Sequence, residues 1–168
     1  DFSGFDIRLV REFAASVDLR AEFHITSWST LATDLQNGST CLLAVGGISR
    51  TADRAQRFHT TSTVVVDRKA PVFSKRNTMK FEKLADLNQT QVIIVENHGG
   101  TNEAFAKELY AAGFLTGAEL RVLPLNPEVF QCLEAHPSKP LVMFTDATEI
   151  EYRTRRATSG LSSSGLQM

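Results

Sequence analysis

QVIIVENHGGTNEAFAKELYAAG, residues 91–113, reads as a buried strand running into a glycine turn and then a helix. Val92, Ile93, Ile94 and Val95 form a short β-branched apolar run, the kind that a parallel or mixed sheet covers on both faces. Phe105, Leu109 and Ala112 then recur at helical spacing, Glu103 falls in the first turn where the helix dipole favours an acid, and Gly113 supplies the stop. Gly99 and Gly100 allow the backbone to approach a ligand, and Thr101 is placed to cap the helix while free N–H groups face outward. Together these features predict an anion site. A plain strand-to-helix turn needs the same residues, so the pattern leaves both readings open. GGT lacks the spacing of a dinucleotide fingerprint or a phosphate loop, which disfavours a nucleotide.

The rest of the chain supplies a setting for that turn. With 168 residues, 42% of them hydrophobic, it can build one domain with a sizeable core or two small lobes. A net charge of −1 disfavours nucleic acid or an anionic membrane surface as the main partner. No apolar run reaches membrane-spanning length. The chain opens at Asp1 with neither an initiator Met nor a signal peptide, so for an exported protein the leader is expected to have been removed already. Cys41 and Cys132 lie in apolar stretches and are expected to be buried free thiols. His24, His59, His98 and His136 have no ligand spacing, so no metal site is expected.

Towards the N-terminus, Ile7, Val10, Ala14 and Val17 mark one face of a helix, and Ala21, Phe23 and Ile25 alternate as a strand. Ser27 is placed to cap a short helix carrying Trp28, Leu31 and Leu35, ended by Gly38. CLLAV, Cys41 to Val45, predicts a second buried strand, and Gly46-Gly47 a second turn, leading into a helix with Thr51 and Arg54 on one face. A hydroxyl and a guanidinium fork at a sheet's mouth suit a carboxylate, although a solvated surface Arg is the commoner case. Thr63–Val66 and Pro71–Phe73 read as extended segments crossing between two halves. Phe81, Leu84 and Leu87 suggest a short helix, and Leu120–Leu123 a strand leading to Asn126-Pro127, a helix start with Asn as cap. Val129, Phe130 and Leu133 pack that helix. The strand Leu141–Phe144 then delivers Thr145, Asp146 and Glu149, with the last two on one side of a helix. From Ala157 onward the residues are small and polar, and a loose tail is expected.

Strands alternating with helices, with polar turns at the strands' C-terminal ends, make an α/β protein whose ligand sits outside those ends. At the level of particular residues the chain resembles the periplasmic solute-binding fold of the amino-acid-binding type (periplasmic-binding-protein type II), and most closely the cyclohexadienyl (arogenate and prephenate) dehydratases. The anchors are GFDIRLVREFA at 4–14, TSW at 26–28, GGIS and TADR at 46–54, NHGGTNEAFA at 97–106 and TDATE at 145–149. The resemblance implies that Ser49 and Arg54 hold a substrate carboxylate from the first lobe, with Trp28 walling the ring. From the second lobe Asn97, Gly100 and Thr101 contact the carboxylate. Asp146 matches the residue that pairs with a ligand's ammonium in amino-acid receptors, and Lys69 matches a cleft position loosely. Glu149 matches the dehydratase general acid, which protonates the leaving hydroxide while the ring carboxylate departs as CO2. Trp28, spaced with Leu31 and Leu35, suits a core anchor equally well.

The same resemblance implies a first strand and loop before GFD, and a return strand and terminal helices after TDATE, that this chain does not carry. It also implies a Ser-x-Pro-Tyr motif where HTTST follows Phe58, and an Asp where Cys41 stands. The expectation is therefore an α/β protein of two lobes with a ligand cleft and an incomplete first lobe: residues 1–70 the partial first lobe, 71–156 the second, 157–168 the tail. The implied activity is arogenate or prephenate dehydration without metal or organic cofactor. A non-catalytic solute-binding protein for an amino acid or small carboxylate is the alternative, as is an inactive truncated relative. The partner is a small carboxylate or amino-acid-like molecule, with no nucleic acid and no membrane span, and uncovered sheet edges point to a homo-oligomer or a marginal fold. The implied location is periplasmic or secreted.

Overall fold

A computed structural model describes residues 2–38, 41–155 and 160–163. The chain divides between Val64 and Val65 into two compact units, each built differently.

The first unit is helical and irregular. Helix α1, Phe5–Ser16, starts where Asp6 can do two things at once: it occupies the acid-favouring first turn, and its Oδ2 accepts the N–H groups of Gly46 and Gly47, both at 3.0 Å. Those N–H groups can converge because Gly46 and Gly47 adopt φ of 115° and 68°, open to glycine. Of the predicted apolar face, Ala14 is buried and Ile7 and Val10 half-buried, but Val17 lies past the helix and is exposed. Helix α2, Leu31–Gln36, begins later than its sequence suggests: Ser27 instead closes a turn, its carbonyl accepting the N–H groups of Thr30 and Leu31. Trp28 therefore sits in that turn rather than in the helix. Helix α3, Ala52–Arg57, is capped by Thr51, whose hydroxyl accepts the Arg54 N–H at 3.2 Å.

The strands expected at 21–25 and 41–45 are absent, and no described residue before Val65 is in a strand. Alternation makes a segment competent to pair, but a strand exists only where a second backbone completes the ladder. Without one, Ile25 and Leu42 stay 88% and 90% exposed. The Thr63–Val66 segment is likewise unpaired. Cys41 and Cys132 are free thiols, half-buried rather than buried.

The second unit holds a five-stranded sheet: β1 Lys69–Ser74, β2 Ile93–Asn97, β3 Glu119–Leu123, β4 Leu141–Asp146 and β5 Leu161–Ser162, in the order β3-β2-β4-β1-β5. The strands β3, β2 and β4 are parallel, with β3 at the sheet's edge, and β1 runs antiparallel to β4. Helices α4 Thr101–Ala111, α5 Asn126–Ala135 and α6 Ala147–Thr154 cover it. The VIIV run behaves as its composition predicts. Ile94, Val142 and Phe144 face a core shared with Ala106 and Leu115, while Val95, Leu141 and Met143 face one shared with Phe130, Leu133 and Ile150.

Local differences from the sequence reading have simple causes. Gly100, not Thr101, caps α4, and Thr101 is its first helical residue. Leu125 precedes α5, so Asn126 is helical and its amide is free to act elsewhere. Phe81 packs in the core, but only Leu84–Leu87 turns, as a 3-10 segment. The division falls before residue 70 because Lys69 and Ala70 pair with Asp146 and Thr145. The expected tail is partly structured: Leu161 is 1% exposed and pairs with Ser74. Residues 157–159 and 164–168 lie outside the described part.

Candidate functional site

Each unit carries its own cluster of the residues singled out from sequence. In the first, Arg54 donates from Nη1 to the Ser49 carbonyl at 2.9 Å, and its Cζ lies 5.2 Å from the centre of the Trp28 ring. Carbonyl and ring hold the guanidinium in place, a cation stacked on an indole face. Burial draws the Arg54 pKa below its usual value, opposed by Asp53, yet an arginine at ordinary pH stays charged. The Thr51 hydroxyl accepts the Arg54 backbone N–H as the helix cap, which leaves its own proton as a donor.

In the second unit, the polar C-terminal ends of β2 and β4 meet the start of α4. Lys69 enters from β1 and donates to Asp146 Oδ1 at 2.7 Å and to Asn102 Oδ1 at 2.5 Å. Its side chain is only 14% exposed. Donor logic fixes the rest of the network. An ammonium only donates, so the Asn102 oxygen must face it and the Asn102 amide must point away. That amide reaches Asn97 Oδ1 at 3.2 Å and Thr145 Oγ1 at 3.3 Å. Thr145, accepting there, turns its own proton to Glu149 Oε2 at 2.8 Å. Asn126 Nδ2 donates to both Glu149 oxygens at 3.2 and 3.3 Å, and Arg153 pairs with Oε1 at 3.1 Å while lying over the Phe130 ring. Glu149 thus meets donors only, in an acceptor's surroundings. Asp146 and Glu149 do not act as a facing pair of carboxylates; each has its own cation.

The glycine turn is occupied from within. Glu103 reaches back to the Gly99 N–H at 2.7 Å and pairs with Lys107 at 2.6 Å, with His98 Nδ1 at 3.4 Å. Burial works against its charge, but Lys107 and the Gly99 N–H hold the Glu103 carboxyl below the usual range. One donor expected to face a ligand is therefore engaged internally, leaving Gly100 and Thr101 at the helix start. Beneath them Glu96 is wholly buried; its Oε1 accepts the Phe144 N–H at 2.7 Å. Glu96 Oε2, Asn97 Nδ2 and Asn126 Oδ1 are buried without a partner among the described residues. Asn97 is wholly buried, so its open Nδ2 donor faces the protein interior and not solvent. Among the described residues no group of three His, Cys, Asp or Glu could hold a metal ion, and no helix is long and apolar enough to cross a membrane.

The structure thus gathers Trp28, Ser49 and Arg54 in one unit and Lys69, Asn97, Asp146 and Glu149 in the other. Asn102, Thr145, Asn126 and Arg153 escaped the sequence reading as site residues. The spacing of Arg153 four residues after Glu149 signals an ion pair. Asn102 and Thr145 lie inside the NHGGTNEAFA and TDATE stretches, but nothing local marks Asn126, 23 positions from its partner.

A mixed sheet flanked by helices, with polar groups converging at its parallel strands' C-terminal ends, is an α/β arrangement, and its solved structural neighbours show it to be of periplasmic-binding-protein type II. Sequence comparison agrees: residues 1–158 match the bacterial extracellular solute-binding proteins, family 3, and the chain belongs to that family. It is 29% identical over 154 residues to the cyclohexadienyl dehydratase of Pseudomonas aeruginosa, a match covering 92% of this chain and 54% of that protein. The chain thus spans about half the length of the curated relative it matches. Among solved structures, an ancestral amino-acid-binding protein described as a precursor of cyclohexadienyl dehydratase superposes with a TM-score of 0.80 at 24% identity, covering 99% of this chain and 69% of that one. An arginine-bound substrate-binding protein of an amino acid ABC transporter from Streptococcus pneumoniae gives 0.81 at 19% identity, covering 100% and 66%. Both likenesses concern the fold.

Proposed function

We propose that this protein catalyses decarboxylative dehydration of a cyclohexadienyl substrate, arogenate or prephenate, with Glu149 as proton donor. The observation that carries the reading is the placement of Glu149 in the first turn of α6, just past the C-terminal end of β4 and linked through Thr145 and Asn102 to Lys69. The 29% identity to a cyclohexadienyl dehydratase supports it. In this reaction Glu149 protonates the departing hydroxyl, the carbon–oxygen bond breaks to release water, and the bond to the ring carboxylate supplies its electrons to the ring as CO2 leaves. Glu149 then regains a proton from solvent. Trp28, Ser49 and Arg54 of the first unit, and Lys69, Asn97, Gly100, Thr101 and Asp146 of the second, are assigned to substrate binding. The family's extracellular character makes export the expected fate.

A second reading, a solute-binding protein without turnover, draws on the same ion pair: a Glu149 held by Arg153 also serves a purely structural purpose. The deciding measurement is conversion of prephenate and arogenate by the parent and by Glu149→Gln. A general acid contributes about 10²- to 10⁴-fold, so the variant should lose that much turnover while still binding a non-reactive carboxylate. A parent that binds but never turns over leaves the solute-binding reading.

A further inference from the structure

The second unit's cluster contains an ammonium of its own, set against the Asp146 carboxylate. We infer that Lys69 is a specificity-determining residue that acts as the internal counter-ion of Asp146, making the site select an α-keto acid over the corresponding α-amino acid. The inference deepens the proposed dehydratase reading and rests on it, naming which side chain of the cyclohexadienyl substrate is accepted.

The geometry is direct. Lys69 Nζ lies 2.7 Å from Asp146 Oδ1 and is fixed by a second acceptor, Asn102 Oδ1, at 2.5 Å. With the side chain 14% exposed and both acceptors on ordered elements, the ammonium is anchored and not a swinging surface charge. Asn102 is itself pinned by Asn97 and Thr145, so Lys69 has no slack. An ammonium has three donors and two are used, which leaves one N–H for a ligand oxygen.

The other acids nearby offer no substitute for Asp146. Glu149 is paired with Arg153 and Glu103 with Lys107. Glu96 is buried, which favours its neutral form. A zwitterionic amino acid brings a cation that must leave water, and a cation does so at a cost unless it finds an unpaired anion. Here it meets another cation. A keto acid brings a carboxylate and a carbonyl, both acceptors, which suit the remaining Lys69 N–H. The two ligand classes differ only at the α-carbon, so the discrimination is electrostatic and not steric.

Phenylpyruvate and phenylalanine are non-reactive probes that differ at that carbon. Calorimetric affinities are measured for the parent, Lys69→Met and Asp146→Asn. The parent is expected to bind phenylpyruvate at least about tenfold more tightly. Lys69→Met uncovers the Asp146 charge and should reverse the order. Asp146→Asn removes the anion but keeps the ammonium, so its preference for phenylpyruvate should equal or exceed the parent's; it decides the matter should Lys69→Met not fold. A parent that prefers phenylalanine, a Lys69→Met protein with the parent's ratio, or an Asp146→Asn protein that shifts towards phenylalanine overturns the inference and leaves the dehydratase reading standing. A parent that binds neither probe overturns both.

Discussion

Glu96 is the residue whose burial has the clearest consequence for pH. Desolvation raises its pKa well above the ordinary 4.5, with the nearby Glu103 adding to it and the Phe144 N–H and Lys69 opposing. The folded chain therefore keeps a proton that the unfolded chain releases. Its contribution to stability is complete below about pH 4.5 and is lost as pH rises towards the folded value, at up to about 1.4 kcal/mol per pH unit. Glu96→Gln keeps an acceptor for Phe144 and cannot ionise, so its melting temperature should fall less than the parent's between about pH 5 and 8. Parallel melting curves across that range would show that Glu96 does not stay protonated. At this scale sequence was a partial guide. Glu149 and Asp146 were legible from their setting at a strand end and Lys69 only as a loose match to a cleft position of the resembled family, whereas the hub Asn102 was not, because its role depends on three partners from β1, β2 and β4.

Among the elements, β5 tests how far local composition can mislead. A short polar stretch has little to bury, and a loose tail follows from that; yet Leu161 alone fills a place among Val72, Met143 and Ile150, and Ser74 supplies the pairing. Leu161→Ala should cost about 2–5 kcal/mol, read as a lowered midpoint in chemical denaturation. A loss under about 0.5 kcal/mol would mean that the segment is dispensable. The opposite error occurred at 21–25 and 41–45, where apolar alternation and a continuous apolar run promised strands. Strand propensity describes how well a segment fits a sheet, and pairing is a property of two segments. Helices fared better, since their hydrogen bonds are internal: α1, α4, α5 and α6 all lie close to where periodicity, an early acid or a terminal glycine placed them.

At the level of the molecule, the two units differ in how completely they hide apolar surface. The second has cores on both faces of its sheet, whereas in the first Phe5, Leu9 and Phe13, at helical spacing, are 58%, 45% and 61% exposed. A stripe of that kind favours self-association. Sedimentation at rising concentration should show dimers or larger species, reduced in Phe5→Ser/Phe13→Ser; a monomer at all concentrations would remove the expectation. The sequence by itself determined the α/β class, the buried β2–glycine–α4 unit, the resemblance to a solute-binding family and most of the charged residues at the strand ends. These follow from local periodicity and from short motifs whose chemistry is carried by neighbouring residues. Only the tertiary structure decided which segments become strands, that Asp146 is answered by Lys69, that Glu149 is held by Arg153 and Asn126, and that the glycine turn's first donor is taken by Glu103. Each of these depends on a distance between groups far apart in the chain or on competition among several acceptors for one donor, and neither is written in any local run of residues.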